Sequence, residues 1–171
     1  MRKLKKSDAS VRYISWLRDN ETKKYISAAK EARTLEDLER YISSKSTKPD
    51  VLFLGIFEKN TGTHIGNIKY EPIDSRSGYA VMGILIGDKD FRGKGVAVEV
   101  IAGTAEWLRA KRGVRWVILG VNKENIPAIR AYEKIGFSIA NFPYLRAPSE
   151  SALYMVWDLS KLVDDELKTR S

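Results

Sequence analysis

The sequence predicts a mixed α/β fold in which a central β-sheet is covered by helices, and three observations carry that prediction. Two helical stripes come early, strand-like runs of antiparallel character follow, and the C-terminal half alternates strand, helix, strand and helix. No proline- or glycine-rich linker divides the 171 residues. One domain over 1–171 is therefore expected, ending in a charged tail over 158–171.

Near the N-terminus, "SDASVRYISWLRD" offers Ser7 or Asp8 as a helix cap and sets Val11, Ile14 and Leu17 at helical spacing. "RTLEDLERYISSK" places Thr34 three residues before Asp37, the spacing of a reciprocal cap, and Leu35, Leu38, Tyr41 and Ile42 on one stripe. Two strand-like runs then flank Asn60-Thr61-Gly62, whose composition suits a hairpin turn. In "YAVMGILIG" a third strand carries Gly83 in its middle, the mark of a bulge or of a close backbone approach. From Val96 to Lys111 a helix presents Val96, Val100, Ala105 and Leu108 on its apolar face, and Gly113 can stop it. "RWVILGV" reads as a short buried strand. "NIPAIRAYEKIGF" reads as a helix with Pro127 in its first turn and Gly136 just past its last. Residues 137–159 complete the chain as two strands around a loop at 143–150.

Composition removes several chemistries. At 43% hydrophobic and 30% charged residues the chain can build a core, which excludes the disordered and fibrous classes. The absence of cysteine excludes disulfides, a thiolate nucleophile and a cysteine-ligated zinc. A single histidine, His64, cannot form a histidine metal cluster, so no metal is expected, and its place in a strand-like run suits a structural or surface role. The basic first residues lead into no apolar segment of the secretory kind, and the longest apolar runs are far too short to span a membrane. A cytoplasmic protein with no membrane partner is expected. The net charge of +8 favours an anionic ligand. Aromatic and basic residues do not interleave within any one strand, and no RNA-recognition signature is present, so no nucleic-acid partner is expected.

The stretch "DKDFRGKGVAVEVI" is where charge and glycine meet the start of a helix. Amides in a first helical turn lack intrahelical partners and carry the positive end of the helix dipole, so they form an anion site. Gly93 and Gly95 let the backbone approach a ligand, while Arg92 and Lys94 add charge. A phosphate cradle is the natural reading. Five residues separate Gly87 from Gly93-Lys94, and Gly95 stands where a Walker loop needs Ser or Thr. A dinucleotide fingerprint would require glycine where Val98 stands.

Arg-x-x-Gly-x-Ala over Arg92 to Ala97, following an apolar strand and opening a helix, resembles the acetyl-CoA signature of the GNAT N-acetyltransferases. "VNKENIPAIRAYEKIGF" is similar to the second signature of that superfamily. "YISWLRDNETKKYI", "HIGNIKYEPI" and "MGILIGDKDFRGKG" further resemble its RimJ/RimL-like branch, so the likeness covers nearly the whole chain. The resemblance implies a GNAT fold, a mixed central sheet with splayed strands and helices on both faces, and an acetyl-CoA-dependent N-acetyltransferase in which an amine attacks the thioester directly.

By the same resemblance, the amides of Gly93, Lys94, Gly95, Val96 and Ala97, with Arg92, would hold the pyrophosphate of acetyl-CoA. Ile84, Leu85 and Ile86 would pair with the pantetheine amides on a strand splayed from its neighbour near Gly83. Asn125 would contact the pantetheine arm, and Tyr132 would protonate the departing thiolate. Tyr132 also lies three residues after Ile129 and three before Ile135, a spacing that suits a packing aromatic equally well. Where relatives carry a base glutamate this chain holds Val81 and Gly120, which leaves Glu71, Asp74, Asp88 or bulk water to take the proton. The implied acceptor is a small-molecule primary amine; "LFLGIFEKNTGTHIGNIKYEPID" resembles relatives that acetylate amino-sugar nucleotides, and such an anionic acceptor suits the basic surplus. A protein N-terminal acetyltransferase and a non-catalytic acyl-CoA sensor are the alternatives. The acceptor walls would come from residues 20–34 and 142–150, and the chain would act as a monomer or homodimer.

Overall fold

The computed structural model describes residues 1–19, 34–146 and 149–162. Seven strands occur among them: β1 (Arg2–Lys3), β2 (Leu52–Phe57), β3 (His64–Asp74), β4 (Tyr79–Ile86), β5 (Trp116–Asn122), β6 (Ser138–Ile139) and β7 (Ala152–Asp158). They form one mixed sheet with the hydrogen-bonded order β1-β2-β3-β4-β5-β7-β6. β4 and β5 run parallel, while β1–β2, β2–β3, β5–β7 and β6–β7 are antiparallel. The described helices are α1 (Val11–Arg18), α2 (Leu35–Ser46), α3 (Val96–Arg112) and α4 (Ile126–Ile135). None of the described helices is long and apolar enough to cross a membrane. The chain divides into two compact units, Met1–Glu71 with Gly83–Ala97, and Pro72–Met82 with Val98–Ser171.

In the first unit the core gathers Tyr13, Ile14, Trp16 and Leu17 of α1, Leu38, Tyr41 and Ile42 of α2, and Leu4, Phe53 and Leu85. The stripe on α1 is rotated from the expected one, for Val11 is 77% exposed and the two aromatics turn inward instead. The helix cap also differs from the expected Ser7 or Asp8. Ser10 caps α1, its Oγ accepting from the Tyr13 amide at 3.1 Å. Asp8 is already engaged, accepting from the Lys5 amide at 2.7 Å and from the Arg2 guanidinium at 2.6 Å. α2 begins as its sequence predicts: Thr34 Oγ1 accepts from the Asp37 amide at 3.1 Å and Asp37 accepts from the Thr34 amide at 3.0 Å. Such a cap is worth about 1 kcal/mol.

The β2–β3 hairpin turns at Gly62, whose φ of 69° lies in the left-handed region. The Glu58 carboxylate fastens that turn by accepting from the Asn60 and Thr61 amides at 3.0 and 2.6 Å. His64 takes a structural place. Its ring stacks on Phe57 at 4.8 Å and meets Trp16 edge-on at 5.1 Å, while Nε2 lies 2.9 Å from the Gly66 carbonyl. β1 is only two residues long, pairing Arg2 with Gly55 and Lys3 with Leu54.

In the second unit the central ladder is β5 against β7, from Trp116↔Asp158 to Asn122↔Ala152. Tyr79, Ile118 and Phe142 form a buried cluster here, with Val81, Trp116, Leu145, Tyr154 and Val156 packed around it. α3 buries Val100, Ala105 and Leu108 of the expected stripe together with Ile101 and Thr104, while Val96 in its first turn is only half-buried, and Gly113 follows its end at a φ of 65°. α4 closes on Gly136, whose φ is 117° and whose missing Cβ would lie 2.7 Å from Trp157 Nε1.

Candidate active site

The candidate phosphate loop begins where β4 ends. The amides of Gly87 and Asp88 both donate to the Ile65 carbonyl, at 3.0 and 3.1 Å, which anchors the chain as it leaves the sheet. A short 3₁₀ turn, Lys89–Phe91, follows, capped by Asp88 through the Asp90 amide at 3.0 Å. Arg92 then folds back: Nε donates to the Ile86 carbonyl at 2.9 Å and Nη2 to the Gly87 carbonyl at 3.2 Å. The guanidinium therefore braces the loop from within, a role that spacing alone does not reveal. Gly93 and Gly95 have φ of 70° and 79°, and a Cβ on either would meet nothing within 4 Å. Glycine is needed here for the left-handed backbone, not to avoid a neighbour, and the surface in front of it is open. Lys94 and the first residues of α3, Val96 and Ala97, complete the row of amides.

The strand segment Ile84–Ile86 lies beyond the last β4–β5 pair, Met82↔Leu119. Gly83 marks that transition without a close approach, since a Cβ there would find nothing within 4 Å. Leu85 faces inward, and its carbonyl points at β3 so closely that a Cβ on Gly66 would lie 2.3 Å from the oxygen. Backbone groups alternate along a strand, so those of Ile84 and Ile86 point the other way. The Ile86 carbonyl is taken by Arg92.

The other two residues singled out by the sequence, Asn125 and Tyr132, belong to the second unit. Asn125 caps α4, with Oδ1 accepting from the Ala128 amide at 3.4 Å and its carbonyl accepting from Ile129 at 3.0 Å. Tyr132 is half-buried on α4, its ring centroid 5.8 Å from that of Phe137, which in turn lies 5.5 Å from Trp157. Burial pushes the phenol pKa above its usual value. The phenol thus stays protonated throughout the physiological range.

None of the three candidate base carboxylates stands unengaged. Glu71 accepts from Lys45 at 2.7 Å and from Lys69 at 2.8 Å. Burial raises its pKa, but the two lysine bonds outweigh that and hold the carboxyl below its usual range. Asp74 is held low chiefly by the Ser77 amide at 3.0 Å, and it also accepts from the Arg76 amide at 2.9 Å. Asp88 pairs with Arg12 and caps the 3₁₀ turn. Val81 packs beside Ile118, and Gly120 lies against the Tyr154 ring. Among the described residues no group of three His, Asp or Glu could hold a metal. Of the segments expected to wall the acceptor, residues 20–33 and 147–148 lie outside the described residues, while Tyr144 stacks on Tyr79 at 5.7 Å.

The Glu71 cluster carries a testable pH dependence. Because its folded-state pKa is depressed, its contribution is complete above the ordinary carboxylate range and fades as pH falls through the folded value. Glu71→Gln should cost about 1.5 kcal/mol at neutral pH, measured by urea unfolding, and the difference should shrink as pH falls below the ordinary carboxylate range.

A family model described as acetyltransferase (GNAT) domain matches residues 1–138. In sequence the chain is 33% identical over 90 residues to the uncharacterized N-acetyltransferase YobR of Bacillus subtilis (strain 168), covering 53% of this chain and 34% of that protein. It is 28% identical over 146 residues to a mycothiol acetyltransferase of Thermobifida fusca (strain YX), covering 79% of this chain and 44% of that protein. The chain thus spans less than half the length of these curated relatives. In structure it is similar to a variant of the spermidine N-acetyltransferase SpeG of Vibrio cholerae, with a TM-score of 0.76, 19% identity and coverage of 96% and 98% of the two chains. It is also similar to aminoglycoside acetyltransferase AAC(6')-Ib in complex with coenzyme A and kanamycin, with a TM-score of 0.73, 20% identity and coverage of 99% and 98%. Those two likenesses speak for the fold.

Proposed function

The chain belongs to the GNAT acetyltransferase family, and from that premise we propose that it transfers the acetyl group of acetyl-CoA to a primary amine by direct attack. The observation that carries the reading is the pair of left-handed, unobstructed glycines, Gly93 and Gly95, at the threshold of a 17-residue helix. A cradle of that form fits a pyrophosphate, because several amides converge on one anion and no side chain stands in the way. Arg92 supports the cradle by bracing the loop, and Ile84 offers its main chain to the pantetheine amides, with Ile86 contributing its N–H. Asn125 has an amide nitrogen to give to the pantetheine arm. Tyr132, kept protonated by burial, supplies a proton to the leaving sulfur.

Acetyl-CoA supplies the activated carbonyl and the thiolate leaving group. With Val81 and Gly120 in place of carboxylates, and Glu71, Asp74 and Asp88 engaged elsewhere, the attacking amine loses its proton to water. The acceptor is a small molecule, the class named for the SpeG and aminoglycoside enzymes of this fold. The net charge of +8 opposes a polycation, so the favoured amine has a neutral or anionic body, of which a nucleotide-linked amino sugar is the anionic extreme.

The test is calorimetry with acetyl-CoA, followed by thiol release with a panel of amines. Acetyl-CoA should bind, and Gly95→Ala should weaken binding about tenfold, since forcing a side chain into a left-handed backbone costs about 1–2 kcal/mol. Failure of the protein to bind acetyl-CoA removes the reading. A second reading, an acyl-CoA sensor without catalysis, is favoured by the engagement of all three carboxylates. Binding without thiol release from any amine would establish it.

A further inference from the structure

Three residues of α1 and its C-terminal cap reach the loop that leads to the glycine cradle. Arg12 pairs with Asp88. Trp16 packs so tightly on Gly87 that a Cβ there would lie 2.0 Å from the indole ring. Asp19 lies 3.4 Å from Lys89 Nζ. The spacing is i, i+4 and i+7, one face of a helix, and the residues it meets are consecutive. Trp16 is itself fixed, 6% exposed and walled by the rings of His64 at 5.1 Å and Tyr13 at 5.5 Å.

We propose that this face of α1 sets the position of the phosphate loop, with Arg12 a positioning residue for acetyl-CoA binding. The inference rests on the cofactor reading above. Asp88 is the lever. One carboxylate oxygen accepts from the Asp90 amide at 3.0 Å while the other meets Arg12, so the arginine fixes the orientation of the 3₁₀ turn Lys89–Phe91. That turn delivers Arg92, whose guanidinium ties Ile86 and Gly87, and then Gly93. Removing Arg12 leaves the Asp88 carboxylate held only by the Asp90 amide and lets the cradle amides lose their common aim, although Arg12 is not assigned any contact with the cofactor. Convergent amides are effective only when held in register, so the effect falls on affinity and not on the chemical step.

Arg12 is half-exposed and outside the core, which makes Arg12→Gln a substitution the fold should accept. Calorimetry should show the dissociation constant for acetyl-CoA rising about fivefold, with kcat at saturating acetyl-CoA and the melting temperature unchanged. Arg12→Lys should recover most of the affinity. In the free protein, amide hydrogen exchange over residues 89–95 should quicken in Arg12→Gln and not in Arg12→Lys. If wild type binds acetyl-CoA and Arg12→Gln binds it equally well, the inference fails while the cofactor reading stands. If wild type does not bind acetyl-CoA, both fall together. Unchanged exchange over 89–95 in Arg12→Gln overturns the positioning role whatever the cofactor does.

Discussion

Tyr132→Phe is expected to lower turnover about 100-fold while leaving the dissociation constant for acetyl-CoA within about twofold of wild type. The substitution removes one oxygen and keeps the ring that packs against Phe137. A purely structural tyrosine would lose little, because phenylalanine fills the same space. A proton donor loses its function outright. The pH profile supplies a second check. The phenol must be protonated to act, and burial raises its pKa, so activity should fall only as pH climbs past the ordinary phenol range. That alkaline limb should vanish in the phenylalanine variant. Equal turnover in the two proteins would reduce Tyr132 to a packing residue.

Gly87→Ala is expected to destabilise the protein by about 3 kcal/mol, read from urea unfolding. The new methyl would enter the Trp16 ring, since even its nearest approach would be 2.0 Å. Neither partner can retreat cheaply. The Gly87 amide is fixed to Ile65 at 3.0 Å, and Trp16 is confined by His64 and Tyr13. Pairing the change with Trp16→Leu, which removes the obstructing ring, should make the double variant more stable than the sum of the single effects predicts. A loss below about 0.5 kcal/mol for Gly87→Ala alone would mean that the indole moves aside at little cost.

Local rules of sequence recover most of the elements. Thr34 and Asp37 form their reciprocal cap because both partners lie within one helical turn. Asn60-Thr61-Gly62 makes the hairpin because Gly62 alone supplies the left-handed residue. Pro127 and Gly136 bracket α4 for similar reasons. The misses come from distant partners. Ser7 and Asp8 have the chemistry of a cap, but Arg2 takes Asp8 into a different turn and Ser10 caps the helix instead. Val11 fits a helical stripe, yet the core lies on the side of Tyr13 and Trp16, which apolar spacing without the aromatics does not weigh.

The candidate site divides in the same way. Gly93 and Gly95 announce themselves by composition and position. Arg92 does not disclose that it bonds its own loop, and Arg12 lies 76 residues from the aspartate it holds. Glu71 looks like an available base until Lys45, 26 residues away, is seen to occupy it. No local pattern encodes such pairings, because only the folded chain brings the partners together.

The two-residue strand β1 has a consequence for the protein in concentrated solution. A sheet whose outer row of amides and carbonyls lies bare invites a second chain to add itself and to begin a fibre. Here Arg2 and Lys3 cover the middle of β2, and Leu4 extends the cover by donating to Phe53 at 3.1 Å. Arg2 also lays its guanidinium over the Phe57 ring at 4.2 Å. An incoming strand must dislodge these cations and approach Lys5 and Lys6 as well. A short edge strand bearing cationic side chains is a poor template for such addition.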